Sequence, residues 1–221
     1  MERIYTCSLR ISPAAAALTV LMVLFVASIA AAQPVPAGVA EQVQGQGLAV
    51  QNANVRPLTP GAEVFVGEIL STGSDARLEI RMHDDAIFTL AAETSFVIVD
   101  FTFGGAANEP RAFLLLMEGA FLAVSGSIAL ADNGDMTVQT SVATIGIRGT
   151  TVWGGPLDGL FRVVLLEGTL ATVANADGVV ELNQIDAGTI ITGPGASPTV
   201  PSPWGRALLA AAKATVAFNT P

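Results

Sequence analysis

The chain is short of the residues that usually carry out chemistry. Its 221 residues include one cysteine, one histidine, one tyrosine and two tryptophans, and only 13% are charged. Cys7 and Tyr5 both lie in the first ten residues, so nothing after position 7 can form a disulfide, a redox thiol or a cysteine nucleophile. An exported chain of this kind has to draw its stability from burial. His83 is the only imidazole, so a histidine relay or a Ser-His-Asp triad would have to run through it. It sits in Met82-His83-Asp84-Asp85, between two strand-like runs, where a polar turn residue is expected and a catalytic one is not. Basic residues are also scarce: 10 Lys and Arg stand against 19 Asp and Glu, for a net charge of −9. After the N-terminus they occur singly, from Arg56 to Lys213. Nucleic acid and anionic membrane surfaces both need grouped cations, so neither is expected as a partner. The acidity instead keeps an apolar chain soluble. No glycine-rich phosphate loop opens a helix, and no GxSxG elbow is present.

What is abundant is aliphatic sequence. Arg3 and Arg10 precede an apolar stretch from Ala14 to Ile29, and Ala30-Ala31-Ala32 follows it. Residues 1–32 therefore read as a secretory signal peptide, with an uncleaved anchor as the alternative. Either reading exports the rest, to the periplasm or beyond, or leaves it anchored in the inner membrane facing the periplasm. Residues 33–46 read as a linker. Over residues 47–192 the pattern has period two: Arg77, Glu79 and Arg81 alternate with Leu78, Ile80 and Met82. Many short strands follow, with turns expected at Gly104-Gly105, Asn133-Gly134, Asp177-Gly178 and Ala187-Gly188. The expected class is all-β, a β-sandwich or a β-helix-like stack. A weak repeat pairs Leu115–Val124 with Val164–Val173; each reads as strand, Glu-Gly bend, strand, and the two could pack as equivalent rungs. Residues 193–203 are a Pro-rich linker. Residues 204–218 read as a short helix, with Ser202 as N-cap and Pro203 at its first position. Trp204, Leu208, Leu209, Ala212 and Val216 would form its apolar face. That helix is expected to cap an open end of the strand stack; docking of a partner is the sharper reading.

Sites for chemistry are few. Asp132-Asn133-Gly134-Asp135 suggests part of a calcium loop, but position twelve would be Ala143 instead of a bidentate glutamate, so a hairpin turn is expected. No catalytic residue, metal or cofactor is expected. Arg148, lying between apolar residues and two glycines, is expected to pin adjacent turns through carbonyls or a strand-borne acid.

The run Ser141–Trp153, SVATIGIRGTTVW, resembles the signature of the FecR domain family, with Ser141 and Val142 where the family has Thr-Pro. Gly67-Glu-Ile-Leu-Ser-Thr-Gly73 is similar to that family's opening segment, with Glu68 in place of aspartate. Asp85–Leu90 and Thr94–Ile98 fit its next strands, with Ala86 where glycine is usual, and Leu115–Gly119 and Leu165–Gly168 fit later ones. The likeness covers roughly Val50 to Ile191. It implies a structural role for Ile147, Arg148, Gly149 and Thr150. Well-known members couple outer-membrane receptors to a sigma factor through a cytoplasmic segment. Only 13 residues precede the apolar stretch here, so direct sigma-factor binding is not expected. The resemblance implies a non-catalytic interaction or sensory module of the bacterial envelope, acting on another envelope protein in signal transduction. A module binding cell-wall or surface carbohydrate is the alternative.

Overall fold

The computed structural model describes residues 34–104 and 109–219. The signal or anchor expected in residues 1–32 lies outside them, as does Gly105 of the expected Gly104-Gly105 turn. The described residues form sixteen strands and two short helices, so the class is all-β, as the alternation indicates.

The strands in chain order are β1 (Pro36–Gln44), β2 (Gly47–Gln51), β3 (Asn54–Pro57), β4 (Glu63–Phe65), β5 (Ile69–Thr72), β6 (Arg77–Met82), β7 (Ile87–Leu90), β8 (Ser95–Thr102), β9 (Arg111–Glu118) and β10 (Phe121–Val124). Helix α1 (Ser127–Leu130) follows, then β11 (Asp135–Gln139), β12 (Thr144–Leu157), β13 (Leu160–Asn175), β14 (Gly178–Leu182), β15 (Ala187–Ile191), β16 (Ser202–Pro203) and helix α2 (Arg206–Val216). They form one sheet in the order β3-β2-β5-β8-β9-β11-β12-β10-β7-β6-β1-β4, with β13 to β16 added beyond β12. The sheet folds back on itself at β12, whose first half pairs with β11 and whose second half pairs with β10. Two leaves thus face one another. Phe96 of the first leaf lies 5.5 Å from Phe88 and 6.3 Å from Phe121 of the second, ring centre to ring centre. Among the described residues only β9 and β11 run parallel.

Period-two alternation determines which side chains reach this core. Leu78, Ile80 and Met82 are buried while Arg77, Glu79 and Arg81 face outward. Where four successive residues are buried, as in Val152–Gly155 and Val163–Leu166, both faces of the strand are covered. Val152, Val163 and Leu165 join the main core, whereas Trp153, Val164 and Leu166 join a second cluster with Trp204, Ala212 and Val216. Helix α2 therefore lies on the outer face of β10, β12 and β13. It does not cap an open end, because an apolar outer face is what needs covering. Trp153 Nε1 donates to Thr215 Oγ1 at 2.9 Å, and the two indoles meet edge to face at 6.2 Å.

Several boundaries differ from the sequence reading. Most of residues 33–46 is β1, a strand paired with both β4 and β6. The Pro-rich segment 193–203 runs along the sheet, held by Thr199 N to Ile190 O at 3.0 Å, and ends as β16. The helix N-cap is Gly205 rather than Ser202, which is taken up by pairing with Gly188. Asn133-Gly134 is the turn leaving α1, not a hairpin, because β11 pairs in parallel with β9. Gly188 lies within β15, under the Trp204 indole. Strand β12 continues past Trp153 through Gly154-Gly155-Pro156 to the hairpin at Asp158-Gly159, both left-handed. A Cβ on Gly154 or Gly155 would run into Phe121 or Ala120, so those glycines permit close packing and do not break the strand. The repeated arms do not stack as rungs. Strand β12 lies between β10 and β13.

Candidate functional site

The family-motif residues sit on β12 and divide between the two faces of the sheet. Ile147 and Thr150 are buried, while Arg148 is exposed and Gly149 is left-handed at φ 62°. Thr150 N donates to Ser125 Oγ at 2.8 Å, and Ser125 N returns a bond to Thr150 O at 3.0 Å. The expectation for Arg148 is corrected here. Its guanidinium has no hydrogen-bond or ion-pair partner among the described residues. Period two places it outward, since Ile147 takes the inward position.

The polar group that does pin turns together is Asp84, which is fully buried. Its Oδ1 accepts from Ala86 N at 3.2 Å and its Oδ2 from Ile128 N at 3.1 Å, tying the β6–β7 turn to α1. Burial pushes this carboxyl above the usual aspartate range, and the two backbone N–H groups pull it partly back. The turn has Asp85 in the left-handed conformation, at φ 67°, so Ala86 is free to be non-glycine. His83 is exposed in the same turn. Among the described residues no three His, Cys, Asp or Glu side chains gather as a metal site.

A second polar device closes the open side of the sheet. Arg56 on β3, the end strand of the first leaf, donates through Nη2 to both oxygens of Glu68 at 2.8 Å and to Glu63 O at 2.6 Å. Glu63 belongs to β4, the end strand of the second leaf. Phe65 N donates to Glu68 Oε2 at 2.9 Å, and Glu68 is buried. This pair leaves no local signature in the chain, because Arg56 and Glu68 sit in different segments without a spacing rule.

At one corner of the fold, Thr72 Oγ1 donates to Ala91 O at 2.6 Å and accepts from Thr94 N at 2.9 Å. Thr94 Oγ1 in turn accepts from Ala120 N at 3.3 Å. Gly119, at φ 86°, lies so close to Thr94 that a Cβ there would overlap it. These bonds fix the Glu93 turn against the Glu118-Gly119 bend. Beside them opens a cavity of about 300 Å³, bounded by Arg77, Glu93, Glu118, Pro156 and Thr215.

The two outer faces of the sheet differ. One is covered by α2. On the other, Ile69, Val97 and Leu115 stand in register across β5, β8 and β9, with Val99 and Met117 exposed beside them.

A family model described as FecR protein matches residues 68–171. No curated protein matches the chain. Two crystal structures of a candidate anti-sigma factor from Parabacteroides distasonis ATCC 8503 are similar in fold. One has a TM-score of 0.49 at 15% identity and the other 0.47 at 14%. Each match covers 59% of this chain and 57% of the other, so the chain spans little more than half the length of those structures. The FecR family model thus covers residues 68–171, the stretch that carries the Ile147-Arg148-Gly149-Thr150 run on the strand shared by both leaves.

Proposed function

We propose that this protein is a non-catalytic interaction or sensory module of the bacterial envelope, exported to the periplasm and acting on another envelope protein in the manner of FecR-type regulators. The observation that carries this reading is the asymmetry of the sheet. Its α2 side is sealed by Trp204 and the helix, whereas the β5-β8-β9 side presents aliphatic side chains in register to solvent. A face of this kind is a protein-binding surface in search of its partner. Glycan stacking has less support, because Trp153 and Trp204 are both buried against each other. The test is site-specific photo-crosslinking in cells, with the crosslinker at position 117 and a control at exposed position 179. A discrete heteromeric adduct from position 117 alone supports the reading. Identical patterns from both positions, or cell fractionation that leaves the protein in the cytoplasm, would refute it.

A further inference from the structure

We propose that the corner cavity binds a small zwitterion, a free amino acid or short peptide, through a carboxylate at Arg77 and an ammonium at Glu93 and Glu118. The cavity's charged groups are present but not satisfied by one another. Arg77 Nη1 donates to Ala76 O at 2.7 Å, its Nε is shielded from solvent without a partner, and Nη2 has no acceptor among the described residues. Neither Glu93 nor Glu118 pairs with it, and neither carboxylate takes part in a side-chain hydrogen bond among the described residues. A guanidinium and two carboxylates sharing a cavity would ordinarily meet, since a bidentate arginine–carboxylate pair is among the stronger polar contacts. Here they stay apart, and among the described residues no ion pair joins Arg77 to either carboxylate. Glu93 sits in a left-handed turn at φ 51°, with its N–H donating to Gly73 O at 3.1 Å. Glu118 is fixed by the Gly119 bend, and both turns are locked by Thr72 and Thr94.

The chemistry of the ligand follows from that separation. A simple anion would satisfy Arg77 but meet two carboxylates, and a metal cation would meet the guanidinium. A molecule carrying both an ammonium and a carboxylate satisfies all three groups. Ala91, Ala92, Ala120 and Pro156 supply an apolar lining between them. A volume of about 300 Å³ lies at the small end of ligand sites, which fits one or two amino-acid units. Thr215 places α2 in the wall, so occupancy would bear on the helix that packs against Trp153.

The test is calorimetric titration of the purified full chain with glycylglycine, its N-acetyl derivative and its C-terminal amide. Saturable binding of glycylglycine is expected, with each blocked form about tenfold weaker or worse, the loss of one charge-assisted contact. Glu93→Gln and Glu118→Gln lie on exposed turns and should leave melting unchanged. Together they should erase the penalty for N-acetylation while keeping the penalty for amidation. No saturable binding of glycylglycine, a blocked form binding as tightly as the free one, or an N-acetyl penalty that survives in the double variant would each overturn the proposal.

Discussion

Replacing Glu68 with glutamine tests whether the two ends of the sheet are held together by charge. The carboxylate accepts Arg56 Nε at 3.1 Å, Arg56 Nη2 at both oxygens, and Phe65 N at 2.9 Å. Glutamine keeps the shape but removes the charge and turns one acceptor into a donor facing other donors. Breaking a fully buried pair costs about 3–5 kcal/mol, whereas an exposed pair is worth about 0–1. Glu68 is buried but the Arg56 side chain is 31% exposed, so the pair lies between these limits. A loss of about 2 kcal/mol is expected, close to the value of a hydrogen bond to a charged group. For a chain of this size that lowers Tm by about 4–8 °C. Far-UV circular dichroism melts of the wild type, Glu68→Gln, Arg56→Met and the double variant complete a cycle. The coupling energy should exceed about 1 kcal/mol; additivity within about 0.5 kcal/mol would show that the contact does not latch the leaves.

Gly119→Ala places a Cβ against Thr94 at a left-handed φ, and should cost about 2–4 kcal/mol in urea unfolding; a loss under about 1 would contradict the tight corner. Asp84 carries a pH signature. Because burial raises its folded-state value, the stability it contributes is complete below the ordinary aspartate value of about 3.9 and is lost as pH rises through the elevated one. Wild type should therefore gain on the non-titrating Asp84→Asn as pH falls from 7 to 4 in urea midpoints, and a pH-independent gap would contradict this. Arg148→Met should leave Tm unchanged within the equivalent of about 0.5 kcal/mol, since the side chain is exposed and unpaired; a larger fall would restore it as a pin.

The alternation of Arg77–Met82 was enough to give the fold class, because one wet and one dry face is a local property of a strand. The FecR likeness was legible for the same reason, as contiguous strand segments. What could not be read were features that depend on which strands become neighbours. Gly154-Gly155-Pro156 looks like a break until Phe121 and Ala120 are known to pack there. Residues 33–46 look like a linker until β6 and β4 supply ladders on either side. Arg148 between two glycines suggested burial, yet its position next to Ile147 on a strand was enough to send it outward. The apolar run Val163–Leu166 is covered on both faces, but nothing local named α2 as its outer cover. Asp84, Arg56 and Glu68 have partners between 2 and 44 positions away, and no spacing rule links them.

The chain lays its strands alternately on the two leaves: β1 on the second, β2 and β3 on the first, β4 on the second, β5 on the first, β6 and β7 on the second, β8 and β9 on the first. Neither leaf is a continuous piece of polypeptide, and each remains open along one edge until β12 arrives and joins both. An unfinished molecule ending before Thr144 would hold two sets of hairpins that no single strand joins. Assembly therefore waits on one late segment and on contacts between distant parts of the chain, the arrangement that slows folding most. The export proposed above would be well served by a structure that cannot close early.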